Sequence, residues 1–158
     1  MVGMNYKTAY VGIDPGKSGA MATIMPDGGV RFVEYTEPRC YLAYLTGLNS
    51  MMLDVRVVVE RLFARPGVMS SAKANFELGR CMGELETMLS MVGLSFQEVT
   101  PQAWQKEYGI SGDKQTHIEY ARRLFPKASL KRNDRCTKDF DGFADALLMA
   151  EYARRHMA

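Results

Sequence analysis

The sequence TAYVGIDPG occupies residues 8–16 and decides how the first part of the chain folds. Its apolar run ends at Asp14, and Pro15 and Gly16 follow directly, two residues that interrupt a β-ladder. We therefore predict a buried strand at residues 8–13 that ends in an acidic side chain. Two more strands are predicted at 19–25 and 29–35, because the intervening sequence PDGG is typical of a hairpin turn.

The rest of the chain alternates between strand and helix patterns. Residues 55–60, VRVVVE, form an almost continuous β-branched run that is typical of a central strand covered on both faces. A last strand is predicted at 95–99. Helical spacing of apolar residues predicts helices at 38–50, 70–92, 101–108, 113–125 and 139–156. This layout predicts an α/β fold in one domain, residues 1–158, with a mixed five-stranded sheet flanked by helices.

The composition is that of an ordinary globular protein. The chain has 158 residues, of which 47% are hydrophobic and 24% are charged. It lacks an apolar run of the ~20 residues that a membrane helix needs, and its start lacks the apolar core of a signal peptide. Cys40, Cys81 and Cys136 are odd in number and scattered, so we expect free thiols in a reducing, cytoplasmic compartment.

Basic residues are segregated along the chain, although the net charge is only +2. Residues 61–80 contain four basic residues and one acidic residue, and residues 102–138 contain nine basic and four acidic residues. Such segregation is expected if one face of the protein meets a polyanion. Chance clustering on a solvated surface explains the same pattern equally well.

Four carboxylates stand at the ends of predicted elements. Asp14 ends the first strand, Glu60 ends the β-branched strand, and Asp141 and Asp145 share one face of the last helix. Each alone has a structural explanation, as a turn starter, a solvated strand end or a favourable charge near a helix N-terminus. Together they are a set of hard oxygen ligands of the kind that Mg²⁺ or Mn²⁺ selects.

These motifs resemble those of the RuvC-type Holliday junction resolvases, members of the ribonuclease H-like superfamily. GIDPG at 12–16 is similar to the family's first motif, and Val58-Val59-Glu60 with Phe63 and the following long helix is similar to the second. Asp141 with ADAL at 144–147 is similar to the last. The correspondence runs in order from about residue 10 to 152. The last two acids are four residues apart, as in some viral and mitochondrial-type members, whereas many bacterial members have three. The short length and residues 101–104 are also more similar to viral members.

The resemblance implies a ribonuclease H-like fold and a structure-specific endodeoxyribonuclease that resolves Holliday (four-way) and related branched DNA junctions. It implies that Asp14, Glu60, Asp141 and Asp145 are the metal-binding catalytic carboxylates. Two Mg²⁺ ions, for which Mn²⁺ can substitute, would lie ~3.5–4 Å apart, form the nucleophile from water and stabilise the leaving 3′ oxygen. We expect Asp14 to bridge the two ions.

Contacts with DNA are predicted from aromatic and basic residues near these acids. The resemblance implies that Phe63 is an aromatic wedge that unstacks bases at the crossover. The predicted phosphate contacts are Arg65, Lys73, Lys106 and Lys114. Lys114 opens a predicted helix whose N-terminal amides also attract phosphate, and residues 131–135 are predicted to form a mobile basic loop over the site. His117 and His156 are expected at the surface.

A homodimer is predicted because a junction has two symmetric strands to cut. The helix at 70–92 is the expected interface, since Phe76 and Met82 leave apolar surface beyond its core stripe.

Other functions remain open at this point. An actin-like phosphotransferase has a similar Asp-containing hairpin, but that fold needs a second lobe and this chain is too short for one. Another ribonuclease H-like nuclease acting on RNA, or a junction-binding protein without catalysis, would carry many of the same motifs. If the protein is viral, its compartment is the host cytoplasm.

Overall fold

The computed structural model describes residues 7–62 and 71–157. Its strands are β1 (Thr8–Asp14), β2 (Ala20–Ile24), β3 (Val30–Glu34), β4 (Asp54–Glu60) and β5 (Phe96–Val99). Its helices are α1 (Pro38–Ser50), α2 (Ala72–Val92), α3 (Pro101–Tyr108), α4 (Lys114–Leu124) and α5 (Asp141–His156). The strands form one mixed sheet in the order β3-β2-β1-β4-β5. The predicted α/β class and five-stranded mixed sheet are confirmed.

The sheet is antiparallel on one side of β1 and parallel on the other. β1 pairs antiparallel with β2, which pairs antiparallel with β3, so the first three strands form a meander. β4 pairs in parallel with both β1 and β5. In the β1–β4 register Ile13 lies opposite Val59, so the next residues, Asp14 and Glu60, end their strands at the same edge of the sheet.

Helices cover both faces of the two central strands. Val57 and Val59 belong to the apolar cluster formed with α1 and α2, whereas Val58 belongs to the cluster formed with α5. Successive side chains of a strand point to opposite faces, so the β-branched run at 55–60 supplies both cores. Helix α5 is buried along most of its length and packs against β1, β2 and β4.

The helix starts differ in detail from the sequence prediction. α5 begins at Asp141 with Phe140 as its N-cap, so the predicted start at residue 139 was wrong. Asp139 instead makes an ion pair with Arg122 of α4, and the Phe140 N–H donates to the Leu130 carbonyl. These contacts hold the chain before α5 in a loop. α4 begins at Lys114, one residue after its N-cap Asp113, whose side chain accepts from the Gln115 N–H.

All three cysteines are free thiols, as predicted. Within the described parts of the chain, helices that are both long and apolar enough to cross a membrane do not occur.

Candidate active site

Asp14 is the half-buried centre of a group of carboxylates at the edge where β1 and β4 end. Burial raises the pKa of Asp14 well above its usual value, and repulsion from Glu60 and Asp145 raises it further, although Lys114 opposes these effects. Like-charged neighbours disfavour the ionised form of a carboxyl group. The arrangement therefore concentrates negative charge that needs a cation to neutralise it.

Glu60, at the end of β4, is held by a tryptophan that the sequence analysis did not select. The indole N–H of Trp104 on α3 donates to Oε1 of Glu60 over 2.9 Å. Burial raises the pKa of Glu60 and the nearby Asp145 adds to this effect, whereas the bond from Trp104 works in the opposite direction. Only 1% of Trp104 is exposed, so the donor of this bond is shielded from water, whereas the acceptor Glu60 is half-buried.

Asp145, on α5, has both of its oxygens engaged by the protein. Oδ1 lies 2.6 Å from Nδ1 of His117, and Oδ2 is bound by the ammonium group of Lys114. Asp145 is 4% exposed and His117 is 1% exposed. The expected surface position of His117 was therefore wrong. The signal that could have found it is its spacing of four residues from Ala121, which is also buried on the inner face of α4.

Lys114 lies between the two acids of α5. Its Nζ pairs with Asp145 and lies 3.5 Å from Oδ2 of Asp141, which is half-exposed in the first turn of the helix. Burial alone would lower the pKa of Lys114, but the negative charge of Asp145 and its neighbours outweighs burial and raises it. The like-charge pair at positions 141 and 145 is thus neutralised by a cation from the protein itself.

The donor set fits a hard divalent ion in its chemistry. Asp14, Glu60, Asp141 and Asp145 offer carboxylate oxygens, the ligands that Mg²⁺ and Mn²⁺ prefer. Among residues 7–62 and 71–157, no three acidic, histidine or cysteine side chains lie close enough together to hold an ion as they stand. The Lys114 ammonium is a stand-in cation on one of these acids, which supports a cation site there.

A cleft of about 800 Å³ opens beside these acids, and basic residues line part of it. Asp14, Asp141 and Lys114 contribute to its wall, and a loop between α4 and α5 contributes Arg132, Arg135 and Lys138. This loop is anchored, because Arg132 makes a 2.9 Å ion pair with Glu34 of β3 and stacks 3.9 Å over the ring of Phe140. A polyanion entering the cleft would therefore meet carboxylates and cations together.

Two of the other predicted DNA contacts lie outside the cleft lining, and two lie outside the described residues. Lys73 on α2 and Lys106 on α3 are exposed and are not among the residues that line the cleft. Phe63 and Arg65 lie outside the described residues. Of the predicted phosphate contacts, the structure brings Lys114 together with the four acids.

The strand order and the packing of α5 across the sheet define an α/β fold, and comparison with solved structures shows that it is the fold of the RuvC-type Holliday junction resolvases. No family model and no curated protein sequence matches the chain. Three of the solved structures that match the chain illustrate this fold. Thermus thermophilus RuvC in complex with a Holliday junction substrate superposes with a TM-score of 0.60 at 16% identity, covering 95% of this chain and 98% of that chain.

A second Thermus thermophilus RuvC structure gives a TM-score of 0.52 at 18% identity and covers 93% of this chain and 96% of that chain. The yeast mitochondrial Holliday junction resolvase gives a TM-score of 0.56 at 13% identity, with 95% of this chain and 78% of that chain covered. At these identities the likeness is one of fold.

Proposed function

We propose that this protein is a metal-dependent, structure-specific endodeoxyribonuclease that resolves Holliday and related branched DNA junctions. The observation that carries the proposal is the meeting of Asp14, Glu60 and Asp145 at one sheet edge of a RuvC-like fold. Burial, and then repulsion from Glu60 and Asp145, raise the pKa of Asp14, and a bound cation would favour its ionised form. One of the similar structures is a RuvC protein bound to a Holliday junction substrate, which supports DNA as the polyanion.

Asp14, Glu60, Asp141 and Asp145 would hold Mg²⁺ or Mn²⁺. Two such ions, when bound, would activate a water molecule and stabilise the leaving 3′ oxygen. The four carboxylates would hold the ions at the edge of the cleft that Asp14 and Asp141 line, where DNA can reach them. Lys114 would be released from Asp145 and could then donate to a phosphate oxygen of the strand to be cut.

The basic loop would hold the DNA in the cleft. Arg135 and Lys138 line the same cleft as Asp14, so they would bind the phosphates next to the scissile one. Such phosphate contacts do not depend on the DNA sequence, and they weaken as the salt concentration rises. Lys73, Lys106 and Arg65 would extend this phosphate binding, and Phe63 would stack on a base at the crossover.

The chain would act as a single nuclease domain in a homodimer. A junction has two symmetric scissile strands, and a two-fold dimer supplies two matching sites. Phe76 of α2 supports this proposal, because 70% of this large apolar side chain is exposed. Its burial against a second α2 would remove apolar surface from water.

Cleavage of a labelled four-way junction tests the proposal. Asp14→Asn and Glu60→Gln keep the size of each side chain and remove a ligand charge, so we expect loss of cleavage of at least 100-fold with junction binding retained. Asp54→Asn, at the opposite end of β4 from Glu60, is the matched control and should cleave normally. Thermal unfolding of each variant checks that the fold is intact.

The substrate that the protein cuts distinguishes the proposed function from the alternative functions. Wild-type protein should cut the DNA junction in Mg²⁺ and leave plain duplex DNA and structured RNA uncut. Preferred cleavage of RNA would assign another ribonuclease H-like nuclease. Tight junction binding with no cleavage in Mg²⁺ or Mn²⁺ would assign a binding protein without catalysis. Undiminished cleavage by either acidic-site variant would remove that residue from the catalytic set.

A further inference from the structure

Trp104 and His117 each hold one oxygen of one site carboxylate, and the two rings touch each other. We propose that they are positioning residues, which turn the second oxygen of Glu60 and of Asp145 toward the cation. The inference deepens the proposed function and rests on it, because it takes these two acids as metal ligands. Neither residue touches the reacting atoms, so both act through the carboxylates.

Trp104 holds the carboxylate of Glu60 in one orientation. An indole N–H is a donor only, and that of Trp104 donates to Oε1 of Glu60 over 2.9 Å. Trp104 lies in the apolar cluster beneath α5, so its ring has little freedom to turn. The bond fixes the orientation of the carboxylate through Oε1, and in this proposal Oε2 is the oxygen that meets a cation.

His117 holds the carboxylate of Asp145 in one orientation. The two ring nitrogens of His117 face two acceptors, Oδ1 of Asp145 and the carbonyl oxygen of Ser111. A carbonyl oxygen and an ionised carboxylate oxygen only accept, so both ring nitrogens donate and His117 carries both ring protons. Nε2 donates to the Ser111 carbonyl, Nδ1 donates to Oδ1 of Asp145, and the first bond sets the direction of the second. Oδ1 of Asp145 is thereby tied to the protein, while Oδ2 carries the replaceable cation Lys114.

Contact between the two rings links the two carboxylates. Trp104 and His117 pack edge to face, with their centroids 5.2 Å apart and their planes at 70°. Glu60 belongs to β4 and Asp145 to α5, so the pair connects two ligands that come from different elements. Residues that hydrogen-bond metal ligands orient them, and their loss typically costs about 10- to 100-fold in metal affinity or activity.

The single tryptophan of the chain makes a direct test possible in the unmodified protein. Trp104 is the only tryptophan among the 158 residues, so a ¹⁵N-labelled sample gives one indole N–H signal. We expect this signal to shift when Mg²⁺ is titrated in, and to move by a comparable amount when Glu60 is changed to Gln. A signal that stays unmoved at saturating Mg²⁺ would overturn the inference.

Metal affinity, measured by calorimetry with Mn²⁺ alone, supplies the second test. Trp104→Phe keeps an aromatic ring and removes the donor, and should weaken Mn²⁺ binding by about 10- to 100-fold. The control is Tyr108→Phe, one turn further along α3, which removes a buried hydroxyl bonded over 2.6 Å to the Leu148 carbonyl. We expect Tyr108→Phe to lower the melting temperature and leave Mn²⁺ affinity unchanged.

Variants at His117 separate positioning from packing. His117→Asn keeps a donor near the place of Nδ1, so its Mn²⁺ affinity should stay within about threefold of wild type. His117→Leu removes the donor, so its Mn²⁺ affinity should fall by about 10- to 100-fold, as expected for Trp104→Phe. Equal Mn²⁺ affinity in Trp104→Phe, His117→Leu and wild type would overturn the inference. If one of these variants does not fold, the Mg²⁺ titration of the wild-type indole N–H signal tests the inference instead. If wild-type protein binds no Mn²⁺ and cuts no junction, the proposed function itself has failed.

Discussion

Gly12 of β1 lies directly against the backbone of α5 at Ala146. A Cβ atom placed on Gly12 would lie 2.1 Å from the carbonyl oxygen of Ala146 and 2.3 Å from the nitrogen of Ala150. Only a hydrogen at this position allows the helix to approach the strand so closely. Ala146 follows Asp145 directly, so this approach also sets the distance between Asp145 and the end of β1.

Gly12→Ala should therefore damage both stability and metal binding. Because the new methyl group meets backbone rather than a flexible side chain, we expect a loss of about 3 kcal/mol in unfolding free energy, at the upper end of overpacking costs. The displacement of α5 should weaken Mn²⁺ binding as well. Urea unfolding and calorimetry measure the two effects.

Gly47→Ala is the matched control for this change. Gly47 lies in α1, and a Cβ there meets nothing within 4 Å. Alanine is favoured over glycine inside a helix, so this variant should gain about 0.5–1 kcal/mol. Equal stabilities of the two variants would contradict the close approach of α5 to β1.

Lys114→Met should tighten metal binding. The ammonium occupies Oδ2 of Asp145 and must leave before a metal ion can bind there. Lys114 is half-exposed although Asp145 is buried, so solvent screens part of the attraction between them. At up to about 1 kcal/mol for a screened pair, we expect Mn²⁺ affinity to rise by about two- to fivefold. Junction affinity should fall at the same time, because a phosphate contact is lost.

Lys7→Met removes the same charge from an exposed position just before β1, at the end of that strand away from Asp14, and serves as the control. It should leave Mn²⁺ affinity unchanged. Calorimetry measures the metal affinity of both variants, and a gel-shift assay measures their affinity for the junction. Weaker Mn²⁺ binding by Lys114→Met than by wild type would contradict the competition between the ammonium and the metal.

Phe76→Glu should separate the proposed dimer into monomers. A charged side chain in the middle of an apolar interface loses its hydration without gaining a partner. Sedimentation at micromolar concentration should give the dimer mass for wild type and the monomer mass for the variant. Met52→Glu, at an equally exposed apolar residue after α1, should remain dimeric. A monomeric wild type, both free and bound to a junction, would refute the dimer.

Glu151→Gln should remove stability that depends on pH. Glu151 is 2% exposed and accepts hydrogen bonds from Arg154 and Arg155. Burial alone would raise the pKa of Glu151, but the two guanidinium groups outweigh it and lower the pKa below its usual value of 4.5. Its contribution is therefore present above about pH 4.5 and is lost as the pH falls through the lowered pKa.

We expect Glu151→Gln to lose about 1.5–3 kcal/mol at pH 7, the range for hydrogen bonds to charged groups. The difference from wild type should shrink below pH 4.5. Denaturant unfolding at several pH values measures it. Glu86→Gln, at an exposed position on α2, should differ little from wild type at any pH. A constant difference between Glu151→Gln and wild type down to pH 3 would show that charge is not the cause.

Local patterns were sufficient to predict most of the secondary structure. The helices at 38–50 and 101–108 begin and end at the predicted residues, because proline at the start of each helix and a change in apolar spacing after it are local signals. The ends of α5 and α4 were less predictable. Asp139 favours a helix start by its charge, but its ion pair with Arg122 holds it outside the helix.

By itself, the sequence determined which residues end the strands and which acids share a helical face, since apolar runs, turn residues and helical spacing act over a few neighbours. It therefore predicted Asp14, Glu60, Asp141 and Asp145 as one candidate set. Only the tertiary structure decided their partners. Trp104 meets Glu60 across 44 residues, His117 meets Asp145 across 28, and Lys114 meets Asp145 across 31. Such contacts depend on how α3 and α4 pack beside α5, and side-chain packing between distant segments leaves no periodic pattern in the sequence.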